Sequence, residues 1–305
     1  MPTGASSYSS LVDGAFWFIL AASVILLVGV TVAMIWFTVR YRRSKHTRPA
    51  QIEGSKRLEV LWTVLPTILV LVMFWYGWTG FKVMRDVPDE GLRVKVTAQM
   101  WSWLYTYPDG MQSAELVVPT GENVILDLES RDVIHSFFVP AFRLKEDCMP
   151  GRTNRAWFKT TRDGVYDVFC AEYCGDRHSA MLSTVRSIPR EEFDQWLADG
   201  GGGMMGTQLL TLKGCTACHS LDGSPLIAPT FQGIWGRKEM VRKGDALYEV
   251  VVDEDYIRRS IRDPNEEIVD GYEAQMPSME GLISDEDLDA IIKIFQSPDL
   301  AGSPE

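Results

Sequence analysis

Two long apolar runs, followed by a change of period, divide the chain. Phe16 to Val39 is a stretch of 24 residues without a charge, long enough to cross a bilayer as a helix. A second apolar run extends from about Leu61 to Phe81 and holds Trp75, Tyr76 and Trp78, aromatic residues of the kind that settle at a membrane interface. The pattern predicts a transmembrane hairpin, with spans at about 16–39 and 61–81 in an N-terminal unit of residues 1–88. From about residue 90 the apolar positions recur every second residue, as in Leu92-Arg-Val94-Lys-Val96-Thr97. That is the period of a half-buried strand. Strand-like runs follow at 115–118, 123–128, 134–139, 155–160, 165–169 and 183–188, separated by turn signals such as Pro108-Asp-Gly110 and Asp163-Gly164. Several short strands at this spacing predict a β-sandwich over residues 89–199. Pro189 to Ala198 reads as a short helix, with Glu191 and Glu192 in its first turn. The four glycines from Gly200 to Gly203 open a flexible linker over 200–206. Residues 207–305 then read as an all-helical domain. Its last helix runs from Ser284 to Phe295, with a serine cap and apolar positions at Leu288, Ile291, Ile292 and Phe295.

Charge orients the hairpin. Arg40, Arg42, Arg43, Lys45, Arg48, Lys56 and Arg57 lie between the two spans, and such clusters stay on the cytoplasmic side. Residues 1–14 lack the basic start and the cleavage site of a signal peptide. Both ends of the chain therefore belong outside, in the periplasm or its equivalent. The net charge is −11, yet residues 1–85 hold nine Lys and Arg against three Asp and Glu, so the outer domains are strongly acidic. That sign suits a cationic protein partner, or simply solubility, and disfavours nucleic acid.

The chemistry lies in two clusters. Cys170, Cys174, His178 and Met181 follow one another at spacings of four, four and three, and His135 heads an apolar strand upstream. Thiolate, imidazole and thioether form a soft to borderline set that suits copper. A closed Cys2His2 zinc site is the plain alternative, but it gives Met181 no role. Further on, Cys215-Thr-Ala-Cys218-His219 is the attachment signature of a c-type haem. Met276, in a Met-Pro pair, and Met279 are the available sixth ligands, with Met276 preferred, because a His/Met pair suits an electron-carrying haem. Cys148, the fifth cysteine, reads as a small buried hydrophobe, which leaves no disulfide framework.

His135 followed by C-x-E-x-C-x-x-x-H-x-x-M resembles the binuclear copper site of cytochrome c oxidase subunit II. The resemblance implies a cupredoxin-like Greek-key sandwich in which Cys170 and Cys174 bridge two coppers. His135, His178, Met181 and the backbone carbonyl of Glu172 would complete the shells, and the Glu172 side chain would help hold a magnesium ion shared with subunit I. Gln99-Met-Trp101-Ser-Trp103-Leu-Tyr105 resembles the family's stretch in which electrons enter at the first tryptophan, here Trp101; Trp103 is left to packing. Glu59, in Glu59-x-x-Trp62-Thr63-x-x-Pro66, matches a glutamate near the mouth of a proton pathway, although a solvated carboxylate at a helix start is the plainer reading. The C-terminal domain resembles class I cytochrome c, with Pro229 as the proline whose carbonyl orients the haem histidine. Taken together, the chain resembles subunit II of a caa-type haem-copper oxidase. That implies electrons from an external donor, a cytochrome c or a quinol-oxidising complex, passing through haem c and copper to an oxygen-reducing subunit I, with proton translocation and a subunit III beside it. A copper subunit of a nitric oxide reductase and a free-standing membrane-anchored carrier are the other readings.

Overall fold

The computed structural model describes residues 3–45, 48, 51, 54–201, 207–279, 283–297 and 300. Most of the expected glycine linker, 202–206, and His46 in the basic loop lie outside these residues.

The apolar runs form two long helices, α1 (Ser9–Arg40) and α2 (Lys56–Arg85). Their most apolar stretches have mean hydropathies of 2.8 and 2.0, and none of that surface is buried within the chain. A helix that is apolar on every side and uncovered by protein is matched to lipid. Each helix extends past its expected span by polar turns at its ends. Ahead of α1 the chain is pinned to the sandwich. Ala5 N–H donates to the Ala141 carbonyl at 2.8 Å, and Thr161 N–H to the Ala5 carbonyl at 2.9 Å. The Tyr8 hydroxyl donates to the Trp157 carbonyl at 2.9 Å, and Arg143 pairs with Asp13 at 2.7 Å. At the other end of the hairpin Arg85 pairs with Glu146 at 2.9 Å. Both helices are thereby tied to the outer domain.

The sandwich consists of two five-stranded sheets. The first contains β1 (Leu92–Gln99), β2 (Ser102–Thr106), β3 (Gln112–Ser113), β5 (Asn123–Ser130) and β8 (Asn154–Lys159), in the order β3-β2-β1-β5-β8. The second contains β4 (Leu116–Pro119), β6 (His135–Val139), β7 (Leu144–Cys148), β9 (Gly164–Cys170) and β10 (Leu182–Ile188), in the order β4-β10-β9-β6-β7. The pairs β1–β5 and β4–β10 are parallel, so the chain crosses between the sheets there. Between the sheets lie Val94, Val96, Trp103, Tyr105, Leu126, Phe137, Phe142 and Phe158, all fully or nearly fully buried. Each such side chain contributes about 1.5–3 kcal/mol by leaving water. Strands β2, β3 and β7 carry no clear period in the sequence. In β2, Leu104 is buried as well as its neighbours Trp103 and Tyr105, so alternation is lost. In β7 the residues between Leu144 and Cys148 are all charged. The helix α3 (Arg190–Ala198) closes the sandwich with Phe193.

The C-terminal unit departs from the all-helical expectation. Helices α4 (Gln208–Leu212), α5 (Glu254–Arg262) and α6 (Asp285–Phe295) are joined by a three-stranded antiparallel sheet. Its strands are β11 (Lys238–Lys243), β12 (Ala246–Val251) and β13 (Ile268–Val269), in the order β12-β11-β13. Lys243 pairs with Ala246 across a two-residue Gly244-Asp245 turn, a favoured hairpin connection. Only Val241 of β11 is buried, and β12 buries no residue fully. A hairpin whose faces are charged leaves little period to read. The end of α6 is as expected: the Ser284 side chain caps the Asp287 amide, and the Asp287 side chain returns to the Ser284 amide. Leu210, Phe231, Ile291, Ile292 and Phe295 form the core of this unit.

Candidate functional site

The first cluster sits at one end of the sandwich. His135 opens β6, Cys170 ends β9, and the loop before β10 carries Cys174, His178 and Met181. Two strands and one loop therefore bring together residues 46 positions apart at the extremes. The two thiols lie 3.7 Å apart. Beside Cys170 Sγ are His135 Nδ1 at 3.9 Å and the Glu172 carbonyl at 3.2 Å. Beside Cys174 Sγ are His178 Nδ1 at 3.6 Å and Met181 Sδ at 3.9 Å. Two donors each about 2.0–2.3 Å from a shared metal lie roughly 3.5 Å apart at a tetrahedral angle, which is the spacing found. The two thiols and the four donors beside them make six, more than one four-coordinate ion uses. His135 and Met181 have no exposed surface, so these donors meet no competing water. The set fits copper, by its softness and by its number.

The surroundings hold the donors ready. His135 Nε2 donates to Asp132 Oδ1 at 2.8 Å, which leaves Nδ1 toward the thiols. Asp132 also accepts the amides of Met100, at 2.6 Å, and Val133, at 2.7 Å. Burial raises the Asp132 carboxyl, but the His135 hydrogen bond and the two amides outweigh it and hold the group below its ordinary range. Burial lowers His135, yet the Asp132 and Cys170 partners carry it up to about 9. Burial would raise Cys170, but hydrogen bonds from His135 and from the backbone at Ser136 and Glu172 bring that thiol down to about 6. Burial and the neighbouring Cys170 charge push Cys174 up to about 12. A metal binds thiolates and neutral imidazoles, so its binding displaces the protons these groups hold.

Trp101 lies over this cluster. Its Nε1–H donates to the Cys174 carbonyl at 3.1 Å. Its ring lies so close to the loop that a Cβ on Gly175 would sit 3.2 Å from it. Trp103 instead fills the core, edge-on to Phe137 at 5.4 Å.

A cleft of about 1330 Å³, its open mouth included, occupies the C-terminal unit. Its wall includes Cys215, Cys218, His219, Pro229, Met276 and Met279, and also Trp101. His219 Nδ1 is 2.6 Å from the Pro229 carbonyl. A carbonyl only accepts, so Nδ1 carries the proton, and burial holds the ring neutral by lowering its pKa. Nε2 is then the basic nitrogen, the form a metal-binding histidine needs. Phe231 stacks on the ring at 4.2 Å and fixes its plane. A large, mostly apolar cleft with two thiols, an oriented neutral imidazole and two thioethers fits a covalently held haem.

Comparison with known proteins bears on this arrangement. The family model described as "Cytochrome C oxidase subunit II, transmembrane domain" matches residues 1–78, and that of the periplasmic domain matches residues 112–188. Cytochrome c oxidase subunit 2 of Alkalihalophilus pseudofirmus is 31% identical over 301 residues, covering 92% of this chain and 85% of its own. The chain belongs to the cytochrome c oxidase subunit II family. It is therefore the copper subunit through which electrons reach a haem-copper oxidase, and its two N-terminal helices span the membrane. The subunit 2 of Bacillus sp. PS3 is 31% identical over 287 residues, covering 85% of this chain and 79% of its own. Neither share is reachable without part of the C-terminal unit. The periplasmic domain of subunit II from Bradyrhizobium japonicum aligns at 33% identity with a TM-score of 0.36, over 38% of this chain and 97% of that one.

Among the residues singled out from the sequence, the structure brings His135, Cys170, the Glu172 carbonyl, Cys174, His178 and Met181 together. It also gathers Cys215, Cys218, His219, Pro229, Met276 and Met279 around one cleft. The Glu172 side chain is exposed, and Glu59 is exposed in the first turn of α2, far along the chain from both clusters. Cys148 is fully buried, opposite His135 in the β6–β7 register. Asp132, Met100 and Phe231 were not legible as site residues. For Asp132 a signal did exist: an acid three residues before a ligand histidine.

Proposed function

We propose that this subunit carries a covalent haem c in its C-terminal cleft and a binuclear copper centre in the sandwich, and passes electrons from an external donor through the first to the second and on to subunit I. When bound, both groups supply one-electron redox chemistry. The observation that carries the reading is Trp101: its indole donates to the Cys174 carbonyl and forms part of the cleft wall beside Cys218 and His219.

The chain's own residues have distinct tasks in this account. Cys215 and Cys218 would anchor the haem, and His219, oriented by Pro229 and Phe231, would offer its Nε2. Met276, on its Met-Pro context, would serve as its thioether donor in preference to Met279. Cys170, Cys174, His135, His178, Met181 and the Glu172 carbonyl would hold the copper pair. Asp132 holds His135 in the tautomer that presents Nδ1. The ends of β6 and β9 and the loop before β10 hold these donors, so little rearranges when charge arrives or leaves.

The same reading orients the subunit with both domains on the periplasmic face of a bacterial inner membrane, because the basic loop between α1 and α2 stays in the cytoplasm. It places Glu59 there, near a proton pathway, and assigns the exposed Glu172 carboxylate to a magnesium ion shared with subunit I. The partner surface for subunit I is the outer face of β9 and β10. There Phe169 pairs with Leu182 in register, and both are exposed with Tyr173 beyond them. Exposed apolar groups of this kind mark contact surfaces. The acidic outer surface suits a cationic donor.

The test is oxygen uptake by the complex purified through a tag on this chain and driven by reduced cytochrome c. Cyanide-sensitive uptake, with subunits I and III co-purifying, is the expected result. Nitric oxide consumption without oxygen uptake would overturn the oxidase assignment, and the absence of any haem-bearing partner would make the chain a free-standing carrier.

A further inference from the structure

The C-terminal unit is seated on the copper domain, with Leu104 as the apolar centre of the seat. Trp103 and Tyr105 of β2 point into the sandwich, so Ser102 and Leu104 point outward. Such a face of an antiparallel pair commonly meets water. Here Ser102 is 9% and Leu104 6% exposed, and Thr97, opposite Leu104 in the β1–β2 register, is also 6% exposed. Leu104 packs with Leu209 and Leu210 of α4 and belongs to the core of the C-terminal unit, not to that of the sandwich. Gly214 permits the approach: its φ is +81°, and a Cβ there would lie 3.0 Å from Ser102 Oγ. Gly214 immediately precedes Cys215, so the attachment motif itself is pressed against β2. Met100 and Trp101, just ahead of β2, become part of the cleft wall. Ion pairs of the C-terminal unit such as Lys213–Asp287 and Arg258–Glu254 join its own residues.

We infer that α4 and the Gly214 turn form a permanent docking interface on β1 and β2, latched by Leu104, which partly covers Trp101 and makes the chain's own cleft its electron source. The inference rests on the function proposed above, since the cleft must hold a redox group for the covered tryptophan to matter. Apolar contact is not screened by salt, whereas docking through surface charges weakens as salt rises. The C-terminal unit is then a fixed relay and not an arm that visits the copper domain from a tether.

Hydrogen–deuterium exchange and hydroxyl-radical footprinting of the intact complex test this. In the wild-type complex the Leu210 and Lys213 amides, which donate to the Thr207 and Leu209 carbonyls, should be protected equally at about 50 mM and about 500 mM salt. The half-buried Trp101 ring should be oxidised at a rate that does not change with salt. Leu104→Asp places a carboxylate in the seat but touches no residue of the sandwich core. It should raise exchange at Leu210 and Lys213 about tenfold or more and expose Trp101, with β9 and β10 amides unchanged. The milder Leu104→Ala should give the same changes in smaller measure. Unprotected α4 amides in the wild type, protection that falls with salt, or indifference to both substitutions would overturn the docking. Covalent haem is read separately from the mass of the chain. Its absence alongside a protected α4 would sustain the docking and remove the function proposed for the cleft.

Discussion

Replacing Asp132 by alanine removes one carboxylate that serves three donors: His135 Nε2 at 2.8 Å, the Met100 amide at 2.6 Å and the Val133 amide at 2.7 Å. Its two effects separate by magnitude. The His135 ring loses the partner that fixes its tautomer, and removing such a partner of a ligand histidine costs about 10–100-fold in metal affinity, or about 1.4–2.7 kcal/mol. The two amides lose a charged acceptor, but Val133 is 40% exposed and water replaces part of that bond, so the fold loses only about 1–2 kcal/mol. Copper binding should therefore suffer more than folding. The assay is copper competition against a chelator of known affinity, on the full chain in detergent, paired with urea unfolding of the copper-free form. Asp132→Asn retains an acceptor for Nε2–H without the charge and should recover about half of the affinity loss on a free-energy scale. Copper affinity unchanged in Asp132→Ala, or a loss entirely accounted for by destabilised folding, would refute the assignment of Asp132 as the residue that positions His135.

Other outcomes follow from the same contacts. The copper-free chain should lose stability toward acid. Asp132 is depressed, so its contribution is complete above about 3.9 and is lost as pH falls below that, whereas near neutral pH the loss from His135, raised to about 9, is opposed by the gain from Cys170, brought down to about 6. A urea midpoint that holds steady from about pH 5 to about pH 3 would contradict this. Phe231→Ala removes the ring stacked on His219 and packed 4.7 Å from Phe295, and should cost the C-terminal unit about 3–5 kcal/mol in thermal unfolding while the copper absorption stays intact. Cys148→Ser buries a hydroxyl at a site without solvent and should cost about 1–3 kcal/mol, whereas Cys148→Ala should retain full copper content, because Cys148 is packing and not a ligand. Glu59→Gln should slow proton-coupled turnover with an unaltered copper spectrum; unchanged turnover would remove Glu59 from the proton path.

The helical hairpin, seven of the ten sandwich strands and the two clusters of candidate ligands were legible in the sequence because each depends on a local rule. Charge-free length sets α1 and α2, two-residue alternation sets strands such as β1 and β5, and fixed spacing sets Cys170–Met181 and Cys215–His219. What escaped depends on contacts made elsewhere in the fold. Leu104 disrupts the alternation of β2 because α4 covers its outward face. Val241 is the lone buried residue of β11, so the C-terminal hairpin was read as part of an all-helical domain. Asp132 and Met100 acquire their roles only when the turn after β5 folds back on the corner before β2. The docking of residues ahead of α1 is not legible either, because Ala5 joins the sandwich through backbone hydrogen bonds, which side-chain pattern does not encode.

The central claim is that one chain holds both a haem c and a two-copper centre. Metal analysis of the isolated full-length chain, separated from the other subunits with its metals retained, tests it most directly. The account predicts two copper atoms and one iron atom per chain, with the iron lost in Cys215→Ser/Cys218→Ser and the copper lost in Cys170→Ser/Cys174→Ser. A chain with no iron, with one copper, or with zinc in the His135–Met181 cluster would contradict it.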